Sequence, residues 1–357
     1  METILELRRI TKKFASSGSE ALRDIDLDVY SGEMLGLIGE SGSGKTTLLR
    51  LIAGLESPTR GTIKLKDRQI VGDNTFVPPE KREIGMVFQE YALFPHMTVE
   101  QNVIYGLHKM EKAAARKRMF EVLEWVNLAE LSNRYAHELS GGQQQRAALA
   151  RALAPSPSII LLDEPFSNLD GVLKDQMREE LHTILKTSGT TAVFVTHDTL
   201  DALSVADRLA LLKDGRLQQT GNPKELYERP GNLYTASFLG KINQVRGRCT
   251  HSGIVSDFGT FPVCQGFREG EEVLIAIRPE NISLQSRICT DLKGEIIHTS
   301  FQGDHLLVHL KPLVGESQNR IIFKMPSAYR IKIGEVVGFK IETENLIVFD
   351  SDPSTGN

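Results

Sequence analysis

Residues Gly39 to Leu55 read GESGSGKTTLLRLIAGL. The spacing of Gly39, Gly44, Lys45 and Thr46 fits G-x-x-x-x-G-K-[ST]. Glycines at these positions let main-chain N–H groups converge on phosphate oxygens. A helix beginning near Lys45 aims the positive end of its dipole at the same oxygens. The lysine reaches the β- and γ-phosphates, and the Thr46 hydroxyl is a ligand for Mg²⁺. On this reading Gly39, Ser41, Gly42, Ser43, Gly44, Lys45, Thr46 and Thr47 cradle a nucleotide. A glycine-rich turn with a surface lysine is the plainer alternative. It lacks a reason for the apolar strand pattern before the loop and the helical pattern after it.

A phosphate loop needs an acidic metal partner. The stretch IILLDEP, Ile159 to Pro165, supplies one at the end of an apolar run. Asp163 is the candidate for holding Mg²⁺, through water, and Glu164 stands beside it on the side of the site. Taken alone, an Asp-Glu pair after a strand is a solvated turn; the loop in the same chain gives it a purpose.

These side chains need elements to carry them. EMLGLIGE enters the loop as a strand, and TTLLRLIAGL has helical spacing ending near Gly54. IGMVFQ, SIILLDEP and TAVFVTHD are short apolar runs of the kind found in buried parallel strands. Helical patterns cover Lys112 to Val126, Gly142 to Leu153 and Val172 to Lys186. Such alternation predicts an α/β domain with a mostly parallel sheet over residues 1–240. From 241 to 357 the texture changes to Val/Ile-rich, partly alternating segments broken by Gly, Pro and Asn, which predicts a smaller β domain.

Composition excludes several classes. The 357 residues include 42 basic and 46 acidic side chains for a net charge of -4, so nothing marks a dedicated nucleic-acid binder. Cys249, Cys264 and Cys289 are odd in number and form no CxxC, and no signal-like segment precedes the first strand pattern. A reduced, cytoplasmic compartment with buried cysteines is the expectation. No apolar run approaches the ~20 residues needed to span a bilayer. His298, His305 and His309 raise a metal hypothesis, against the plainer reading as surface histidines.

The order of motifs narrows the class. LSGGQQQR (Leu139 to Arg146) lies upstream of IILLDEP, which is followed by SNLD and then THD. This set resembles the ATP-binding cassette family over roughly the first two-thirds of the chain. The resemblance implies a P-loop NTPase fold that binds ATP and Mg²⁺ and hydrolyses ATP. By position, Phe14 would stack on adenine, with a core phenylalanine as the alternative. Gln89 would touch metal and attacking water. Ser140, Gly141, Gly142 and Gln143 would press on the γ-phosphate of ATP held by a second subunit. Asp170 would belong to the dimer-contacting loop, and His197 would bond the γ-phosphate. Glu164 would polarise water, so the catalytic set is Glu164, His197, Gln89 and Lys45, and the metal set Thr46, Gln89 and Asp163.

Short spacing between Lys45 and Ser140, one phosphate loop, and the lack of membrane helices point to a separate ATPase subunit of an importer. Gln89 to Leu107, QEYALFPHMTVEQNVIYGL, resembles the stretch that in bacterial maltose, polyamine, sulfate and ferric-iron importers accepts a short permease helix. Tyr91, Leu93, Phe94, Pro95 and His96 would line that groove. IAIRPENISL, Ile275 to Leu284, resembles the small β-barrel (OB-like) domain of the same importers, a place for dimer contact or regulation. The resemblance thus implies a head-to-tail homodimer, integral membrane permease subunits, and an indirect link to a periplasmic or surface solute-binding protein. It places the chain peripherally on the cytoplasmic side of the inner membrane. PFSNLD and the short C-terminal region are most like ferric-iron importers, with polyamine, sulfate, phosphonate or sugar as alternative solutes. A soluble cassette without a permease is the reading from another class.

Overall fold

Six strands form the sheet that carries the candidate site: Met34–Ile38, Ile84–Val87, Ile159–Asp163, Thr191–Val195, Arg208–Lys213 and Arg216–Gly221. In this computed structural model, residues 2–14, 18–167, 171–262, 266–285, 291–313 and 320–351 are described. Across the sheet the order is Arg216–Gly221, Arg208–Lys213, Met34–Ile38, Thr191–Val195, Ile159–Asp163, Ile84–Val87. All pairings are parallel except the one between the two strands joined by the turn at Asp214 and Gly215. The strands are continuous apolar runs because both faces are covered. Leu35, Leu37, Ile159, Leu161, Val193 and Val195 enter one core, while Ile160, Leu162, Ala192 and Phe194 enter the other.

The sequence alternation predicts a mostly parallel sheet here; the structure adds an antiparallel one. Its order is Glu20–Tyr30, Thr3–Lys13, Arg60–Leu65, Arg68–Gly72, Thr75–Phe76. Leu5, Leu7 and Ile10 pair with a strand burying Leu22, Ile25, Leu27 and Val29, while Asp24, Asp26 and Asp28 point outward. That period of two belongs to a sheet with one wet face. Its inner face packs with the helix Lys45–Ala53, whose Leu48, Leu49, Leu51 and Ile52 are fully buried. The other face of the parallel sheet is covered by the helices Val99–Tyr105, Lys112–Trp125, Gly141–Leu153 and Gly171–Ser188.

The helix after the phosphate loop stops at Gly54, which takes φ 83° as its C-cap. Arg82 finishes that end: its Nη1 donates to Leu51 O at 2.8 Å and Ile52 O at 2.9 Å. Burial holds its guanidinium down to about 10. A cation at a helix C-terminus is favoured by the dipole and by the carbonyls that have no intrahelical donor.

The chain divides into two compact units, 1–223 and 224–357. The division falls before the change of texture at 241 because Arg278 ties the two short helices on the near side of that change to the β unit. Arg278 is 3% exposed. Its Nη1 donates to Ala236 O at 2.8 Å and Gly240 O at 2.9 Å, its Nη2 to Tyr227 O at 3.0 Å, and its guanidinium lies 4.0 Å from the Tyr227 ring centre. The β unit itself is two five-stranded antiparallel sheets around one core that includes Ile275, Ile296, Val308, Phe323 and Phe339. Arg278→Ala strands several buried carbonyls at once and should destabilise this unit by about 3 kcal/mol. Calorimetry should show an earlier transition for it, with ATP binding by the first unit unchanged.

Candidate active site

Four adjacent parallel strands deliver the candidate residues at their carboxyl ends. The phosphate loop follows Met34–Ile38, His197 follows Thr191–Val195, Asp163 and Glu164 end Ile159–Asp163, and Gln89 follows Ile84–Val87. That edge is where open α/β sheets bind ligands.

In the loop, Gly39 has φ 149° and Gly44 has φ 103°. A Cβ at Gly39 would sit 2.2 Å from Leu212 O, and one at Gly44 would sit 2.6 Å from Ala21 O. Only glycine fits either position. Lys45 is 6% exposed, and its Nζ donates to Gly39 O and Glu40 O, both at 2.8 Å. Neutral carbonyls leave the ammonium charge uncompensated. Burial lowers its pKa, and the nearby carboxylates of Glu164 and Asp163 oppose that shift. A polyphosphate is the ligand such a buried cation calls for.

Burial raises the Asp163 carboxyl above the ordinary carboxylate range, and the charge of Glu164 raises it further. Arg50, a hydrogen bond from Thr46, and Lys45 act in the opposite sense. Two carboxylates beside one another need cationic compensation. The Thr46 hydroxyl, the Asp163 carboxylate and the Gln89 amide are hard oxygen donors of the kind Mg²⁺ takes, so the residues present fit that ion.

Glu164 adopts φ 49°, rare for a residue with a side chain. Its N–H donates to Val195 O at 3.1 Å, which fixes this turn to the neighbouring strand. His197 Nδ1 lies 3.2 Å from Glu164 Oε1, and Gln89 Nε2 lies 3.4 Å from Glu164 Oε2. Gln89 Nε2 also reaches Ser167 Oγ at 3.3 Å, and Ser167 Oγ donates back to Glu164 O at 3.0 Å. Gln89 and His197, far from Glu164 and from each other in sequence, therefore meet on its carboxylate. The His197 turn is held from below. Thr196 Oγ1 donates to Asp201 Oδ2 at 3.0 Å, and buried Arg178 donates through Nε to Asp201 Oδ1 at 2.8 Å.

Ser140 caps the helix Gly141–Leu153. Its Oγ accepts from Gln143 N, while Gln143 Oε1 accepts from Ser140 N at 2.9 Å. Ser140 and Gly141 are exposed, and a Cβ on Gly141 would meet nothing within 4 Å. Among the described residues, no hydrogen bond or ion pair joins 140–143 to 39–47. Phe14 is half-buried at the end of its strand with Lys12 Nζ 4.8 Å from its ring centre. Asp170 lies outside the described residues.

Of the five residues expected to line a helix groove, Tyr91 does not. It is 7% exposed and belongs to the core, because left-handed conformations at Tyr91 (φ 60°) and Ala92 (φ 49°) turn the chain back. Leu93 and Phe94 are half-buried, and Pro95 and His96 are exposed. Phe94 packs 4.7 Å from Tyr105, itself 56% exposed, with the Arg151 guanidinium 5.4 Å from its ring. Two residues that the motifs did not single out hold this region: Gln145, with its amide on Pro165 O at 2.7 Å, and Arg151, with its guanidinium on Ala92 O and Tyr91 O. The signal for Gln145 was a polar residue four before Leu149 on an apolar helix face.

In the second unit His298 and His309 are cross-strand partners with ring centres 5.4 Å apart, while His305 Nδ1 pairs with Asp304 at 2.7 Å. The three do not gather. No group of three His, Cys, Asp or Glu suited to a metal occurs among the described residues. Cys249 is buried, as expected; Cys264 and Cys289 lie outside the described residues. Among the described residues no helix is long and apolar enough to cross a membrane.

Residues 22–167 match the family model described as ABC transporter, and residues 275–349 match the TOBE domain. The chain is 43% identical over 328 residues to the spermidine/putrescine import ATP-binding protein of Marinobacter nauticus, covering 87% of this chain and 85% of that one. It is 42% identical over 318 residues to the Fe(3+) ions import ATP-binding protein of Rhizobium meliloti, covering 86% and 88%. Among solved structures, a dimeric ATP-binding cassette in a post-hydrolysis state, bound to ADP and Pi, is 34% identical with a TM-score of 0.54. That match covers 62% of this chain and 99% of the other. The chain belongs to the ABC transporter family: it is an ATP-binding-cassette ATPase of the importer type, followed by an OB-like TOBE domain.

Proposed function

We propose that this subunit hydrolyses MgATP at sites shared between two copies of itself, and that the cycle drives a separate membrane permease. The observation that carries the chemistry is the convergence of Gln89 and His197 on Glu164, beside Asp163 and the buried Lys45. Bound Mg²⁺, held by Thr46, Asp163 and Gln89, would neutralise charge on the phosphoryl oxygens. Lys45 exchanges its carbonyl partners for β- and γ-phosphate oxygens. Glu164 accepts a hydrogen bond from the attacking water and orients it in line with the γ-phosphorus. His197 and Gln89 fix the carboxylate and report on the γ-phosphate.

The cap formed by Ser140, Gly141, Gly142 and Gln143, exposed at Ser140 and Gly141, stands apart from its own phosphate loop in hydrogen bonding, which supports its use on the ATP of a second subunit. Closure of the two copies then depends on contacts made only with ATP present. The half-buried Phe94, flanked by Arg151 and Tyr105, with Pro95 and His96 exposed beside it, supports a docking groove for a short permease helix. On this reading the working subunit sits on the cytoplasmic face of the membrane. A solute-binding protein acts on it through the permease.

Ferric iron is the solute we propose, from the PFSNLD stretch and the 42% likeness to a ferric-iron subunit. The 43% likeness to a spermidine/putrescine subunit favours a polyamine as the second reading. Uptake by cells with and without this subunit, with iron and spermidine as the two probes, separates them.

Glu164→Gln should retain ATP binding and lower turnover by ~10²-fold or more, the scale of a lost general base. Turnover near that of the parent would contradict the role given to Glu164. Phe94→Ala should leave ATP binding and melting of the isolated subunit unchanged, and weaken its hold on the permease by about 2 kcal/mol. A large fall in melting temperature with lost ATP binding would instead make Phe94 part of the core.

A further inference from the structure

The helix Gly141–Leu153 is fastened at two points to the loops that present Glu164 and Gln89. Near its start, Gln145 Nε2 donates to Pro165 O at 2.7 Å, the carbonyl next to Glu164 in the chain. Near its end, Arg151 donates to Ala92 O at 2.6 Å and Tyr91 O at 3.0 Å, three and two residues past Gln89. Both receiving segments contain left-handed residues: Glu164, and the pair Tyr91 and Ala92. Such conformations persist only where neighbours hold them.

Gln145 is 3% exposed, and its Oε1 has no hydrogen-bond partner among the described residues. A half-satisfied amide in an apolar setting of Val87, Leu149, Leu162 and Met177 is a poor stabilising device; methionine would pack there without a buried orphan acceptor. The donor to Pro165 is what glutamine supplies and methionine does not. With Phe166 1% exposed and Ser167 N donating to Glu164 O at 3.2 Å, that bond completes the restraint on the peptide following Glu164.

We propose that Gln145 is a positioning residue for hydrolysis, fixing the Glu164 turn to the helix that begins at Ser140, with Arg151 fixing the Gln89 loop to the same helix. The helix acts as a strut. A force on its exposed cap reaches both catalytic loops of its own subunit. Since the cap meets the nucleotide of the opposite site, the strut links the two sites. This rests on the role proposed above for Glu164.

The test uses the full-length chain and compares Gln145→Met with the parent and with Glu164→Gln. Gln145→Met should lower kcat for ATP about tenfold or more, with KM within twofold and a melting temperature equal or higher. In the Glu164→Gln background the same substitution should change residual turnover less than twofold, because Gln145 acts through Glu164. An unchanged kcat in Gln145→Met, or an equal fold loss in both backgrounds, overturns the proposal while leaving Glu164 in place. A Glu164→Gln variant that turns over normally refutes the underlying reading instead. Should Gln145→Met fail to fold, Arg151→Lys, which loses one of two main-chain bonds, carries the test. It should lower kcat with KM and melting unchanged, and an unchanged kcat there would overturn the strut.

Discussion

A buried ammonium without a counter-charge on its own loop, set near two adjacent carboxylates, is the constraint from which the cassette follows. Lys45 meets the neutral carbonyl oxygens of Gly39 and Glu40 and the Ser43 hydroxyl, and burial with the charge of Glu164 raises the Asp163 carboxyl. Neither half of this arrangement is comfortable in a low-dielectric setting. A polyphosphate satisfies the lysine and a divalent ion satisfies the carboxylates, so MgATP answers both demands together. The strand order brings these groups to one edge, and two opposed cores clamp the sheet that holds them.

Around that centre the structure spends polar side chains on restraint. Arg178 and Asp201 are buried together beneath the turn of His197, and Arg82 closes the far end of the helix that starts at Lys45. Gln145 and Arg151 tie one helix to two loops. Each of these groups touches main chain or another side chain rather than the expected position of a substrate. Their work is to keep left-handed turns and strand ends where the chemistry needs them.

Much of this was legible in the sequence because it depends on local rules. The loop motif, the apolar runs of Ile159 to Leu162 and Thr191 to Val195, and the stop at Gly54 all follow from glycine geometry and periodicity. The antiparallel sheet was also written in the chain, as the alternation of Ile25, Leu27 and Val29 with aspartates, yet the parallel pattern that follows masked it. Tyr91 was misread because aromatic composition does not reveal that two left-handed residues fold the ring inward. The meeting of Gln89, Glu164 and His197, and the bonds of Gln145 and Arg151, depend on strand order and long-range packing. No spacing within the chain encodes those directly. The place of the second unit's helices was hidden for the same reason, since it hangs on Arg278.

In the arrangement proposed above, the loop at Lys45 and the cap at Ser140 act on one ATP from different subunits. Mixing Lys45→Ala chains with Ser140→Arg chains tests it most directly, both carrying Glu164→Gln so that bound ATP persists. Each variant alone lacks an intact loop or an intact cap at every shared site. The mixed dimer places both lesions at one site and leaves the other whole. The mixture should form ATP-dependent dimers holding one nucleotide each, where neither variant does so alone. A mixture that binds ATP and dimerises no better than its parents would contradict it.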